Sequence, residues 1–192
     1  MKKKILVIMG NPNRESFCAA VAEEYAGAAA KNFEVKKLFL SDLNFDPILR
    51  AGFKSGQELE PDLKTAQELI LWADHLVFVT PVWWGSVPAL LKGFIDRTFL
   101  PGFAFKYHSN DPWWDRLLSG RTARIIYTAD SPKFWLWFSH RDAAIRTLKN
   151  ATLEFCGVKP VKTLCFPMLR KSTPEQRKKW LQKTKSVGEQ GG

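Results

Sequence analysis

Five short runs of apolar and β-branched residues punctuate the chain, separated by longer stretches in which apolar positions return every three to four residues. Lys4–Met9 (KILVIM), 34–40, 75–80 (HLVFVT), 123–128 and Val161–Phe166 read as strands. Their near-continuous apolar character, in place of strict alternation, suits strands covered on both faces. The intervening periodicity predicts helices over about 16–31, 62–73, 87–99 and 141–156. Ser172-Thr173-Pro174-Glu175 has the form of a capped helix start with proline in the first turn, and the last helix is predicted to run to about Lys185. The glycine-rich ending, 188–192, reads as a frayed tail, leaving 1–187 as a single domain.

Strands alternating with helices make a parallel sheet with helices on both faces. Five strands favour the order 2-1-3-4-5, the flavodoxin-like α/β arrangement, over the six-stranded Rossmann sheet. The phosphate loops point the same way, since neither GxGxxG nor GxxxxGK[ST] occurs. The first strand instead enters a polar loop, Gly10-Asn11-Pro12-Asn13-Arg14-Glu15-Ser16-Phe17-Cys18. A helix starting there offers the amides near Ser16, Phe17 and Cys18, with the Ser16 hydroxyl, to a phosphate. Taken alone, Ser16 reads first as an ordinary capping serine, and the phosphate reading gains from the position of the loop in the sheet. The third strand ends in Pro81-Val82-Trp83-Trp84-Gly85-Ser86, with Ser86 placed to cap a helix whose first residues include Pro88. In this sheet order the carboxyl ends of the first and third strands are neighbours, and ligands bind at such a switch point. A phosphate-type loop and an aromatic loop then face one crevice, a place for a flat ring.

Charge and cysteine content narrow the partners. With 29 Lys and Arg against 19 Asp and Glu, the 192-residue chain carries a formal +10. The basic residues are scattered, with local excess at 2–4, at Arg170-Lys171 and in the last helix, and no nucleic-acid module accompanies them. The charge is therefore read as favouring anionic small molecules, and no nucleic acid is expected. Cys18, Cys156 and Cys165 are odd in number and lack zinc spacing, which predicts a reducing cytoplasm and no metal. The apolar run near the start ends at Gly10-Asn11-Pro12 without a cleavage site, so it is a first strand and not a signal peptide. No window reaches the roughly 18 apolar residues of a membrane span.

Taken together, the two loops resemble those of the flavodoxin-like NAD(P)H:quinone oxidoreductases. Asn11-Pro12 and Ser16-Phe17-Cys18 are similar to the family's His-Pro-x-x-x-Ser-Phe-Asn, with Asn11 and Cys18 departing from it. The segment 81–99, followed by Gly102-Phe103-Ala104-Phe105, resembles the family's Pro-x-x-Trp-x-x-Val-Pro-Ala-x-Leu-Lys-Gly pattern almost throughout. The resemblance implies a noncovalent flavin, with chain length inclining towards FMN over FAD. Its phosphate would lie near Asn11, Ser16, Phe17 and Cys18, and its isoalloxazine along Pro81, Val82, Trp83, Trp84 and Gly85. The loop Thr128, Ala129, Asp130 and Ser131 would border the other side, where many members carry Thr-Gly-Gly and Ala129 and Asp130 replace the glycines.

The same resemblance implies reduction by NAD(P)H, then two-electron transfer in a ping-pong cycle to a quinone or an azo or nitroaromatic acceptor. His140 is the candidate catalytic residue, and Tyr107 and His108 are candidates by chemistry alone. A homodimer with sites at its interface is implied too. Trp113-Trp114 and the aromatic run 134–138 are expected in loops needing cover, as a ligand groove, a surface for a second copy or a membrane contact, the alternative being local core; association with a transporter is a separate partner expectation. The alternatives are a flavodoxin-type electron carrier and a flavin-binding accessory subunit of a transporter.

Overall fold

The computed structural model describes residues 2–54 and 56–192. In chain order its elements are β1 (Lys4–Met9), α1 (Phe17–Ala29), β2 (Glu34–Phe39), α2 (Pro61–Trp72), β3 (His75–Pro81) and α3 (Ala89–Thr98). A hairpin of β4 (Phe105–Tyr107) and β5 (Trp114–Arg116) precedes β6 (Thr122–Thr128). Next come α4 (Lys133–His140), α5 (Ala143–Arg146) running into a π-helical turn at Thr147–Glu154, β7 (Val161–Phe166) and α6 (Pro174–Glu189). The main sheet is parallel, ordered β2-β1-β3-β6-β7, which is 2-1-3-4-5 among its own five strands.

Every residue of β3 is buried, as a central strand clad on both faces requires. Leu6, Ile8, Leu76 and Phe78 pack on one side with Leu63, Ile70, Leu91 and Phe94 of α2 and α3. Ile5, Val7, Val77 and Val79 pack on the other with Val21, Ala22 and Tyr25 of α1. Side chains of this kind contribute about 1.5–3 kcal/mol each on full burial, so the two layers hold the strand ends in fixed relation. The crevice end is drawn tight at Gly10, where a Cβ would stand 2.8 Å from Leu91 Cδ2. A larger residue there would require the Leu91 side chain of α3 to shift.

The second strand's exit loop is tied to the body by Arg97, whose side chain is fully buried. Its guanidinium donates to the carboxylate of Glu60, at 2.7 Å, and to the carbonyls of Asp46 and Glu58. An arginine fits here because its planar fork serves several oxygens at once.

Several boundaries differ from the sequence reading. The third helix starts at Ala89 with Pro88 as its N-cap, and Ser86 caps nothing, because its backbone closes a turn back onto Trp83. The run 134–138 lies in α4 and not in a loop, while Trp114 begins β5. The helix predicted over 141–156 is broken at its start, where Arg141 and Asp142 take left-handed backbone at φ 47° and 51°. The last helix continues to Glu189 because Gly188 approaches α1 closely: a Cβ there would meet the Tyr25 carbonyl at 2.7 Å. Beyond it Lys3 Nζ donates to the Gly191 carbonyl at 2.6 Å, so 188–191 pack against the body instead of fraying. Among the described residues no helix is long and apolar enough to cross a membrane.

Candidate functional site

The loop after β1 is shaped by its asparagines. Asn11 Oδ1 accepts from the Asn13 N–H at 2.9 Å, and Asn13 Oδ1 from the Glu15 N–H at 2.8 Å, two side-chain turns that curl the chain toward α1. Ser16 is the N-cap, its hydroxyl accepting from the Ala19 N–H at 3.2 Å. The amides of Phe17 and Cys18 fall in the first turn, where no intrahelical acceptor exists, and none is found for them among the described residues. That turn is anchored from outside: the Phe17 ring lies 6.2 Å from Phe166 and 5.9 Å from Trp180, which stack on each other at 5.4 Å.

After β3 the chain reverses in a tight turn. Trp83 and Ser86 exchange both backbone hydrogen bonds at 2.9 Å, and the central Trp84 and Gly85 have φ of 51° and 69°. Positive φ at both central residues defines a type I′ turn, which favours Asn or Gly first and strains a bulky residue. Trp84 nonetheless occupies the strained position with its ring fully exposed. Val82 N–H donates to the Thr128 carbonyl at 2.8 Å, locking this loop to the end of β6.

These loops enclose two adjoining cavities. The inner one, about 110 Å³, is lined by Asn11, Ser16, Phe17 and Cys18 on one side and by Pro81, Val82 and Trp83 on the other, with Thr128, Ala129 and Asp130 closing it. A liquid water occupies about 30 Å³, so this volume suits a compact polar group of a few heavy atoms. The outer one, about 680 Å³, continues past Val82, Trp83, Trp84 and Gly85 to Ala129 and Asp130. All the residues expected at a flavin therefore line one crevice. Free first-turn amides beside a hydroxyl, opening onto a wider aromatic-walled space, fit a phosphorylated flat ring by charge and shape.

The third wall works differently from the family pattern. Ala129 spends its N–H on the Phe166 carbonyl at 3.1 Å and its own carbonyl on the Leu169 N–H at 3.0 Å. Its backbone has no free donor for a ring. Asp130 Oδ1 accepts from the Arg170 N–H at 2.9 Å, which directs that carboxylate to the turn after β7. Cys18 Sγ lies 3.4 Å from Thr128 Oγ1, and burial pushes its thiol up against the opposing hydrogen bonds of Thr128 and Asn11, so it stays protonated at neutral pH.

Ser131 lines the outer cavity as expected, and two lining residues were not anticipated: Leu136 of α4, and Leu169 from the turn after β7. The sheet order could have flagged Leu169, since β7 neighbours β6 and its carboxyl end opens beside the crevice. Of the candidate acids, the His140 side chain lies outside the described residues. Tyr107 and His108 belong to the β4–β5 hairpin and line neither cavity. Hydrogen bonds donated to the Asp115 and Asp111 carboxylates hold the His108 imidazole above its ordinary pKa, a surface cluster apart from the crevice.

Comparison with known proteins gives the family of the fold. A family described as having a flavodoxin-like fold matches residues 3–187. An uncharacterized NAD(P)H oxidoreductase of Haemophilus influenzae is 28% identical over 172 residues, covering 84% of this chain and 82% of its own. Ribosyldihydronicotinamide dehydrogenase (quinone) of Rattus norvegicus is 28% identical, covering 96% of this chain and 92% of its own. Among solved structures, Smu.1420 from Streptococcus mutans superposes with a TM-score of 0.85 at 31% identity, covering 97% of this chain and 99% of that one.

Proposed function

The chain belongs to the flavodoxin-like family, and from that premise we propose a flavin-dependent NAD(P)H:quinone oxidoreductase that takes electrons from NAD(P)H and gives them to a quinone in a ping-pong cycle. The observation that carries the reading is the crevice itself, in which first-turn amides of α1 and the strained Trp83–Ser86 turn border one continuous space. When bound there, a flavin supplies two-electron chemistry, so that NAD(P)H, a proton and a quinone yield NAD(P)⁺ and a hydroquinone.

The protein's own part is placement and charge. The Phe17 and Cys18 amides with the Ser16 cap hold a phosphate, aided by the positive end of the α1 dipole. Trp83 and Trp84 give a flat ring an apolar wall and keep water from one edge. The outer cavity leaves room for one further flat molecule at a time, which is the arrangement an alternating cycle needs. Asp130 lines the crevice too, its Oδ1 held by the Arg170 backbone N–H, so its carboxylate works against negative charge developing there.

Initial rates measured over a grid of NADPH and quinone concentrations test the cycle. Parallel double-reciprocal lines, in protein carrying about one flavin per chain, are expected; intersecting lines contradict alternate occupancy of one pocket.

A further inference from the structure

Beyond the crevice lies a separate cavity of about 640 Å³, lined by Trp137, Phe138, Arg141, Asp142 and Arg146. The two are linked through α4. Leu136 lines the crevice and, with Asp142, a narrow apolar slot, and Asp142 then lines the second cavity. Arg141 and Arg146 also edge an adjoining hollow that offers Thr147 and Asn150. Among the described residues neither guanidinium takes part in an ion pair or a side-chain hydrogen bond.

The lining has a particular chemistry. Trp137 and Phe138 present large exposed ring faces, which suit a purine. Two guanidiniums within one cavity suit a phosphate dianion, which each can bind through a fork of N–H groups. Asp142 leaves the trio with net positive charge and supplies an acceptor for a ribose hydroxyl or an exocyclic amine. The consecutive left-handed residues Arg141 and Asp142 end α4 and start the next turn, and such strain gathers where a site is being shaped.

We infer that this cavity receives the adenosine 2′-phosphate half of NADPH, with Arg141 and Arg146 selecting NADPH over NADH. The inference rests on the reductase reading of the crevice, and adds to it where the far end of the dinucleotide lies. One molecule with a flat ring at one end and a phosphorylated purine nucleoside at the other matches the two spaces in order. Leu136 and Asp142 both line the slot between the crevice and the second cavity, so the two spaces lie side by side across the end of α4. An arginine beside the ribose is how the extra phosphate is commonly accommodated.

Titration calorimetry of the flavin-reconstituted full chain with 2′,5′-ADP reads the subsite without turnover. Binding is expected, tighter than that of 5′-AMP, and weakened on the order of tenfold in Arg146→Gln and in Arg141→Gln. In the same variants the NADPH-to-NADH ratio of kcat/KM should fall by a similar factor, carried by KM. Absence of 2′,5′-ADP binding overturns the inference, as does unchanged affinity in a variant with native flavin content and Tm. So does co-sedimentation with anionic phosphatidylglycerol vesicles in place of nucleotide binding, which would make the aromatic and basic face a lipid contact. If 2′,5′-ADP binds but neither nicotinamide donor bleaches the flavin, the reductase reading fails and the subsite stands.

Discussion

The two ends of the parallel sheet are built on opposite terms. At the amino ends of the strands, polar groups bond between elements, although His75 Nε2 and Arg124 Nε lie buried with no partner among the described residues. Lys4 N–H donates to the Asp74 carboxylate at 2.8 Å, Arg121 donates to the last-turn carbonyls of α2 at Ile70 and Leu71, and His75 Nδ1 meets Thr122 Oγ1 at 2.6 Å. At the carboxyl ends the backbone is strained and apolar surface is bare. All four non-glycine residues with positive φ among the described residues, Trp84, Arg141, Asp142 and Met168, follow β3, β6 or β7. Trp84, Phe134, Trp137 and Phe138 stand exposed around them. Stability is held at one end so that shape can be held at the other, which is where strained and ligand-facing segments are expected to collect.

The largest effect should come from breaking the paired body. Arg97→Met leaves Glu60 and two carbonyls without their donor, and a loss of about 3–5 kcal/mol is expected from denaturant melts. Flavin affinity of the remaining folded protein should be unaltered. Acid should act on the amino end next. Burial, helped by the charges of Lys3, Arg124 and Lys162, lowers the His75 pKa from 6.5 to about 3. Unfolded chains then bind a proton that native chains refuse, so stability falls as pH drops from about 6.5 towards 3, at up to roughly 1.4 kcal/mol per unit. Urea midpoints across that range should show the slope, and His75→Asn should flatten it.

Changes at the crevice end should cost less stability and more binding. Ser16→Ala removes the α1 cap, worth about 1 kcal/mol, and should weaken flavin binding measured by fluorescence quenching. Trp84→Gly sharpens the contrast furthest. Glycine relieves the left-handed strain, so the variant should melt higher by the equivalent of about 1 kcal/mol while holding flavin less tightly. A variant both less stable and equally able to bind would contradict the division of labour.

How much of this was legible in the sequence follows the same divide. Strand positions and sheet order could be read because buried parallel strands are near-continuous apolar runs, and Lys4–Met9 and Val161–Phe166 match to the residue. Strand order puts loops 10–18 and 81–86 side by side, whereas Thr128, Ala129 and Asp130 were placed at the crevice by the family resemblance and not by the residues themselves. The aromatic run 134–138 misled, because an unbroken apolar stretch has no helical face to detect; only Leu136 turns inward. Left-handed Arg141 and Asp142 carry no glycine to announce them, so the break after α4 was invisible. The packing of 188–191 depends on close approach to α1, a tertiary contact that a glycine-rich ending does not reveal.

The central claim is tested most directly by visible absorption of the flavin-reconstituted protein under anaerobic conditions, recorded before and after NADPH and again after a quinone. The account predicts bands that bleach with NADPH and return with the quinone in equal amount. Bound flavin that stays oxidised with both NADPH and NADH would contradict it.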